Sequence, residues 1–189
     1  MSSFYSVKEL KEIGFTNLGS NLKISKLCRF YNITGSIGNG TRIDDFTILK
    51  GHFEIGEKVH ICSHCSLSAV GGKITISSLS GIGVNNIFYT ASDDMFKNGL
   101  CGPLVAKSSS KLKTGNIFIG QGAALGGRVT VMPGVYVGEY SAFGISTVLT
   151  EKYDSFSIFM NVKGKLKKIA KRDKIKLSKL GQIELLKNN

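Results

Sequence analysis

The stretch 117–150, IFIGQGAALGGRVTVMPGVYVGEYSAFGISTVLT, is ordered by a count of six. From Ile119 the count lands on Leu125, Val131, Val137, Phe143 and Leu149, with Gly120, Gly126, Gly138 and Gly144 directly after four of them. Two residues before each bulky position stand Ile117, Ala123, Val129, Val135, Ser141 and Thr147, which are small or β-branched. An internal period decides architecture ahead of local propensity. Within each hexad, residues at i−2 and i share a side and i−1 points away, as in a short strand, while the glycine-rich remainder turns a corner. Three such sides make a coil of eighteen residues, so the chain climbs as a triangular prism whose inward residues stack. Each coil buries its apolar edge only against its neighbours.

The same count runs through earlier segments. It begins at Leu18, Ile24 and Phe30, slips by one residue, and resumes at Ile37, Ile43, Leu49, Ile55, Ile61 and Leu67. After Gly71-Gly72 it restarts at Ile76, Ile82 and Phe88. The expectation is an all-β parallel β-helix of roughly six coils at ~4.8 Å each over residues 18–154. Ahead of it, within 1–17, Ser6 and Glu9 form a capping box, Tyr5 and Leu10 have staple spacing, and Gly14 can end a helix over Val7–Ile13 that plugs the first coil. One loop, 89–116, has no sixfold phase and contains TASDD at 90–94, Pro103 and a Ser/Lys-rich run. Excursions of that length are commonly functional. Residues 155–189 read as a loop followed by a basic helix with Leu166, Ile169, Ala170 and Ile175 on its apolar stripe.

Charge and cysteine usage narrow the function classes. The net charge is +12, and ten of the 25 basic residues lie from Lys163 onward against only Asp173 and Glu184. A terminal cation cluster suits the phosphates of a small ligand, whereas a nucleic-acid surface spreads cations and aromatics over a face. The start, MSSFYSVKELKEI, has no apolar signal segment, so the four cysteines are expected reduced in the cytoplasm. No apolar run approaches the roughly 18 residues of a transmembrane span.

Outward middle positions point to a partner. In the last coils they are Phe118, Ala124, Thr130, Tyr136, Ala142 and Val148, none of them charged, which suggests an interface between copies. Earlier coils place Ser36, Arg42, Ile48, Glu54, His60 and Ser66 there, and the eighteen-residue stride sets Arg42 one coil below His60. His60 suits a general base, its unperturbed pKa being ~6.5, and Arg42 biases it toward the neutral form. The competing reading is an interface histidine with a single hydrogen bond. The letters VHICSHCSL at 59–67 invite a metal, but Cys65 points inward, Cys62 sits at a corner and His60 points out, so no metal site is expected there.

The repeat form [LIV]-G-x-x-x-x resembles that of the left-handed β-helix acyltransferases. The order FYSVKELKEIGF, RIDDFTIL, VHICSHCSL and TASDD looks most like the dTDP-4-amino-4,6-dideoxyglucose N-acetyltransferases of that family. The resemblance implies the hand of the coil, homotrimers with clefts between subunits, acetyl-CoA as cosubstrate, and a nucleotide-linked aminodeoxysugar for O-antigen or other surface polysaccharide as acceptor. Related sugar acetyltransferases bring a catalytic imidazole on a loop where this chain has Ser92, Asp93 and Asp94. The base is thus either His60, oriented by a loop Asp, or Asp93 or Asp94 itself, with Arg42 and Ser92 holding the acceptor. For the donor the resemblance implies Gly127, Ile145, Thr150, Lys152, Lys165 and Lys168. Three alternatives stand beside this reading: a sugar O-acetyltransferase, a zinc hydratase drawing on His52, His60 and His64, and a non-catalytic scaffold.

Overall fold

The computed structural model describes residues 3–94, 99–102, 104, 106, 108 and 110–187. Within the long loop, residues 95–98, 103, 105, 107 and 109, Pro103 included, lie outside the described residues.

The hexads build three walls of parallel strands. On the first wall Asn17 pairs with Ser36, then Glu54, Thr75, Phe118, Tyr136 and Lys152 follow upward. On the second the rungs are Lys23, Arg42, His60, Gly81, Ala124, Ala142 and Ile158. The third carries Arg29, Ile48, Ser66, Ile87, Thr130 and Val148. The first two walls have seven rungs, one coil more than the count of six suggests, because the chain completes them at Lys152 and Ile158 after the sixfold pattern has ended.

The stacked inward residues are the core. Ile43, Ile61 and Ile82 rise along the second wall and Leu49, Leu67 and Phe88 along the third, all essentially inaccessible. Full burial of each such side chain contributes about 1.5–3 kcal/mol. The polar residues at i−2 are buried too, and the neighbouring backbone satisfies them: Thr41 Oγ1 donates to the Gly56 carbonyl at 2.8 Å and Ser80 Oγ to that of Gly120 at 2.9 Å. Among the described residues no buried side-chain nitrogen or oxygen lacks a partner.

Both ends are closed. At the bottom, helix α1 (Val7–Ile13) starts on the expected capping box, with Glu9 N donating to Ser6 Oγ and Ser6 N to Glu9 Oε2. It sends Leu10 into the core beside Phe15, while Tyr5 and Phe15 pack edge-on against Phe30. At the top, Phe143 stacks on Phe159 at 4.9 Å with Tyr153 edge-on to both.

The basic helix expected across Leu166–Ile175 is instead a strand and a later helix. Ser157–Val162 and Lys165–Lys171 form an antiparallel hairpin around Lys163 and Gly164, both at positive φ. Two such residues match the tight turn favoured in hairpins, and the last rung of the second wall supplies an unpaired edge. Helix α2 (Lys174–Leu186) then begins at Asp173, whose side chain accepts from Lys176 N. It runs back down the prism: Gly181 lies against Tyr140 and Leu79, and Lys58 Nζ donates to the Glu184 carbonyl.

The irregularities share one edge. From third wall to first, the step is six residues in a regular coil but seven from Arg29 to Ser36, nine from Ser66 to Thr75 and 31 from Ile87 to Phe118. The one-residue slip, the Gly71-Gly72 restart and the long loop therefore leave from the same corner. The loop departs as an antiparallel ribbon, Ala91–Asp93 against Leu112–Thr114.

Candidate active site

The three edges thus have different fates. The first–second edge lies under α2, the third–first edge carries the insertions, and the second–third edge is left open. On that open edge stand, in stacked order, residues 44–46, 62–64, 83–85, 126–128 and 144–146.

Its lower half holds a carboxylate clamped by two outward side chains of the second wall. Arg42 Nε donates to Asp44 Oδ1 at 2.6 Å, and His60 Nε2 to Asp44 Oδ2 at 2.8 Å. Arg42 and His60 are register partners, so Asp44, two residues beyond Arg42, meets the imidazole of the coil above. Partial burial pushes the Asp44 carboxyl up, but the hydrogen bonds from His60 and Arg42 outweigh it and hold the group below the usual carboxylate range. An ionised Asp44 keeps the His60 proton on Nε2 and leaves the lone pair on Nδ1, which has no hydrogen-bond partner among the described residues. Nearly half of the His60 side chain is exposed. An open cavity of about 410 Å³ adjoins it, lined by Ser3, Phe4, Arg42, Asp44, Asp45 and Ser63.

The upper half is mainly apolar, with Arg128 and Asn85 at its border. Val84, Asn85, Gly127, Arg128 and Ile145 line a cavity of about 300 Å³, with Val84 and Ile145 exposed. Gly127 keeps it open: a Cβ there would come within 3.3 Å of Val84. Beside the upper half the second wall presents Gly81, Ala124 and Ala142, a shelf without large side chains. His60 and the Gly126–Gly127 turn are two rungs apart, about 10 Å at the strand spacing.

The loop residues stand elsewhere. Ser92 and Asp93 lie in the ribbon at the third–first edge; Asp93 Oδ2 accepts from Gly102 N at 3.0 Å. Asp94 faces a cavity of about 390 Å³ with Ser110, Lys111, Leu112 and Lys113. Within one chain neither aspartate orients His60. That partner is Asp44, which the sequence reading missed, although the stride that set Arg42 under His60 also sets Asp44 under Cys62.

The six donor candidates are also divided. Gly127 and Ile145 share the apolar cavity. Lys165, opposite Val162 beside the hairpin turn, lies near its upper end, because the neighbouring Asn161 Nδ2 donates to the Ser146 carbonyl at 2.7 Å. Thr150 and Lys152 lie instead where the last coil passes from third wall to first, and Lys168 is paired with Asp154 at 2.8 Å. The uncharged outward residues ring the prism: Phe118 and Tyr136 stack on the first wall, Ala124 and Ala142 lie on the second, Thr130 and Val148 on the third.

Among the described residues the histidines and cysteines weighed as metal ligands in the sequence do not all face one point. Cys65 is buried, its Sγ against the Gly83 carbonyl, and burial pushes its thiol up to about 11. His64 packs on Phe46, and His52 sits at the third–first edge with Nδ1 2.8 Å from Thr34 Oγ1. Cys62 does turn toward His60, its Sγ 3.9 Å from Nε2. Among the described residues no helix is long and apolar enough to cross a membrane.

Comparison with known proteins gives this geometry a family. No family model matches the chain. It is 33% identical over 161 residues to the dTDP-4-amino-4,6-dideoxy-D-glucose acyltransferase of Escherichia coli, covering 83% of each chain. Among solved structures it is similar to AntD, an N-acyltransferase from Bacillus cereus, in an aspartate-to-alanine variant bound to dTDP and coenzyme A, with a TM-score of 0.88, 36% identity and full coverage of both chains. A hexapeptide-repeat acetyltransferase from Vibrio cholerae, at a TM-score of 0.60 and 18% identity over 88% of this chain and 79% of that one, shares the fold. The chain belongs to the dTDP-4-amino-4,6-dideoxy-D-glucose acyltransferase family, N-acyltransferases built on the hexapeptide-repeat β-helix.

Proposed function

We propose that this chain acetylates the amine of a dTDP-linked 4-amino-4,6-dideoxyglucose, drawing the acyl group from acetyl-CoA in the cytoplasm, and so prepares a sugar for O-antigen or other surface polysaccharide. The observation that carries the proposal is the shared open edge: an imidazole–carboxylate pair in its lower half and an apolar cavity in its upper half, about two rungs apart. AntD has been crystallised with dTDP and 3-hydroxybutyryl-CoA and, as a serine-to-alanine variant, with dTDP-4-amino-4,6-dideoxyglucose and coenzyme A.

The chain's residues suggest direct transfer. Val84, Gly127 and Ile145 receive the pantetheine arm, and Lys165 meets the phosphates. Arg42 and the polar groups of the lower cavity take the nucleotide sugar. The amine attacks the thioester carbonyl while His60 Nδ1 accepts its proton, and Asp44 stabilises the imidazolium that forms; collapse of the tetrahedral intermediate breaks the C–S bond, and the departing coenzyme A sulfur takes the proton back from His60. A backbone N–H of the coil steadies the tetrahedral oxyanion. Cys62 does not suit an acyl carrier: burial and the Asp44 carboxylate both raise its thiol pKa.

A second assignment of the base rests on the aspartate variants of AntD. Here Asp93 or Asp94 removes the proton, with Ser92 beside the acceptor. Because the loop leaves from the edge opposite the second wall, a loop aspartate reaches an open edge only from a neighbouring copy, as a trimer with clefts between subunits would allow.

The test is release of coenzyme A thiol with a panel of dTDP- and UDP-linked amino sugars and their hydroxy counterparts, using the native chain and His60→Ala. The proposal expects transfer to a dTDP-amino sugar and a loss of at least ~100-fold in turnover for the variant. Transfer only to hydroxy sugars would overturn it in favour of O-acylation, and near-normal turnover of His60→Ala would move the base to the loop.

A further inference from the structure

We propose that Asp44, His60 and Cys62 form a binding site for a soft divalent metal ion, Zn²⁺ foremost, whose occupancy disables His60 as a proton acceptor. The inhibitory half rests on the reading of His60 as the base; the binding half does not. A carboxylate oxygen of Asp44, a ring nitrogen of His60 and Cys62 Sγ all lie within 4.8 Å of one another, and His60 Nε2 stands 2.8 Å from Asp44 Oδ2 and 3.9 Å from Cys62 Sγ. Carboxylate oxygen, imidazole nitrogen and thiolate sulfur are the three donor types that zinc accepts in proteins.

The coil explains why they meet. Asp44 and Cys62 occupy the same corner position one stride apart, and His60 precedes Cys62 by two residues on the wall that faces that corner. The open cavity beside Arg42, Asp44, Asp45 and Ser63 leaves room for water in a fourth position, so the ion is reachable from solvent. Arg42 opposes the ion by charge, but it binds the other oxygen, Oδ1, and about half of its side chain is exposed, so it can withdraw into water. Asp45 is occupied by Ser25 Oγ and stays outside the donor set.

Binding moves protons in a defined way. Cys62 exchanges its S–H for an S–Zn bond and releases the proton to solvent. His60 gives Nε2 to the metal and keeps its one ring proton on Nδ1, the nitrogen that otherwise accepts the proton of the attacking amine. Zinc therefore removes the lone pair needed for transfer and separates His60 from Asp44 without blocking the apolar half of the edge. Since a thiol proton is lost, affinity rises with pH.

Cys62→Ala isolates the proposal, because that thiol has no part in the transfer step. Chelator-treated protein is titrated with Co²⁺ and with Zn²⁺ while absorbance, melting temperature and acyl transfer are followed. Co²⁺ is expected to give a thiolate charge-transfer band in the native chain and none in Cys62→Ala. Zn²⁺ is expected to raise the melting temperature of the native chain and slow its transfer at least ~10-fold, and Cys62→Ala should need at least ~10-fold more Zn²⁺ for either effect, as loss of a ligand implies. Absence of the Co²⁺ band, or equal Zn²⁺ midpoints in the two proteins, overturns the site. A band without slowed transfer keeps the site and overturns its inhibitory role; active protein without a band leaves the transferase reading standing alone.

Discussion

The open second–third edge and the loop-bearing third–first edge are made from one repeat, yet they gather polar groups in opposite ways. At the open edge the step from second to third wall is the same in every coil, and the corners repeat one backbone, with Phe46, His64, Asn85, Arg128 and Ser146 each at positive φ, so side chains of neighbouring coils meet by register: Asp44 receives both Arg42 and His60. At the loop edge coil length changes from rung to rung, and backbone must pass close to backbone. Gly35 shows the consequence, since a Cβ there would lie 1.9 Å from the Phe53 carbonyl oxygen and φ is +111°. Regularity brings Arg42, Asp44 and His60 of one chain together. Irregularity sends out an arm whose carboxylates, Asp93 and Asp94, have no access to the open edge of their own chain.

The largest expected effect sets the two edges against each other. His60→Ala should cost at least ~100-fold in turnover if the open edge supplies the base, and Asp94→Asn should cost as much if the arm supplies it. Should both variants be impaired, mixing the unfolded chains and refolding them together separates the cases. Recovery of activity in the mixture would mean that groups from two copies complete one cleft; no recovery would place both groups in one copy's site.

A smaller contrast lies in the glycines of the two edges. Gly35→Ala should destabilise the chain by about 1–3 kcal/mol through strain at positive φ, and the contact with Phe53 puts it toward the upper end. Gly127→Ala at the open edge presses on Val84 at 3.3 Å, a tight contact that the exposed Val84 side chain can relieve, so it should cost less stability than Gly35→Ala, about 0.5 kcal/mol, while KM for acetyl-CoA rises. Denaturant midpoints and donor kinetics of the two variants check both halves.

These particulars show where the sequence was readable. The period of six located the walls, the inward stack and all three breaks, because burial of every sixth residue leaves a mark that no single substitution hides. That the breaks share one corner follows from the same count, since each falls between a third-wall and a first-wall residue. Asp44 is within reach of the eighteen-residue stride, but a lone carboxylate at a corner marks no chemistry until the fold sets Arg42 and His60 on its two oxygens. The tail was less readable. KLKKIAK satisfies helical spacing as well as a strand, and only the unpaired rung Ser157–Val162, a tertiary fact, selects the hairpin. The loop aspartates read alike from sequence whether they serve their own chain or another, because sequence spacing carries no information about neighbouring copies.

Lysines of the tail give a finer comparison. Lys168 is committed to Asp154 in an exposed pair that solvent and salt screen, so Lys168→Ala should alter stability slightly and KM for acetyl-CoA little. Lys165 lies near the upper end of the open edge, and Lys165→Ala should raise that KM several-fold with turnover unchanged. Equal effects of the two would mean that the tail acts as a diffuse cation field rather than through one position.

The smallest effect concerns the foot of the open edge, where residues Ser3 and Phe4 line the lower cavity and α1 is tied to the first coil through Glu9 and Lys26. The hydrogen bond from Lys26, then those from Ser6, bring the Glu9 carboxyl down from 4.5 to about 2. A group whose pKa is lower in the folded chain stabilises it fully above the unfolded value and ceases to do so once protonated in both states. The advantage of the native chain over Glu9→Gln in melting temperature should therefore be constant above about pH 4.5, shrink as pH falls and vanish near pH 2. Asp44 and Glu54 are depressed in the same direction, the one at the open edge and the other beside Lys73 at the loop edge, but both proteins retain them, so their loss cancels in the difference. A difference that persists unchanged to pH 2 would mean that Glu9 holds α1 by packing rather than by charge, and that the foot of the open edge keeps its shape in acid.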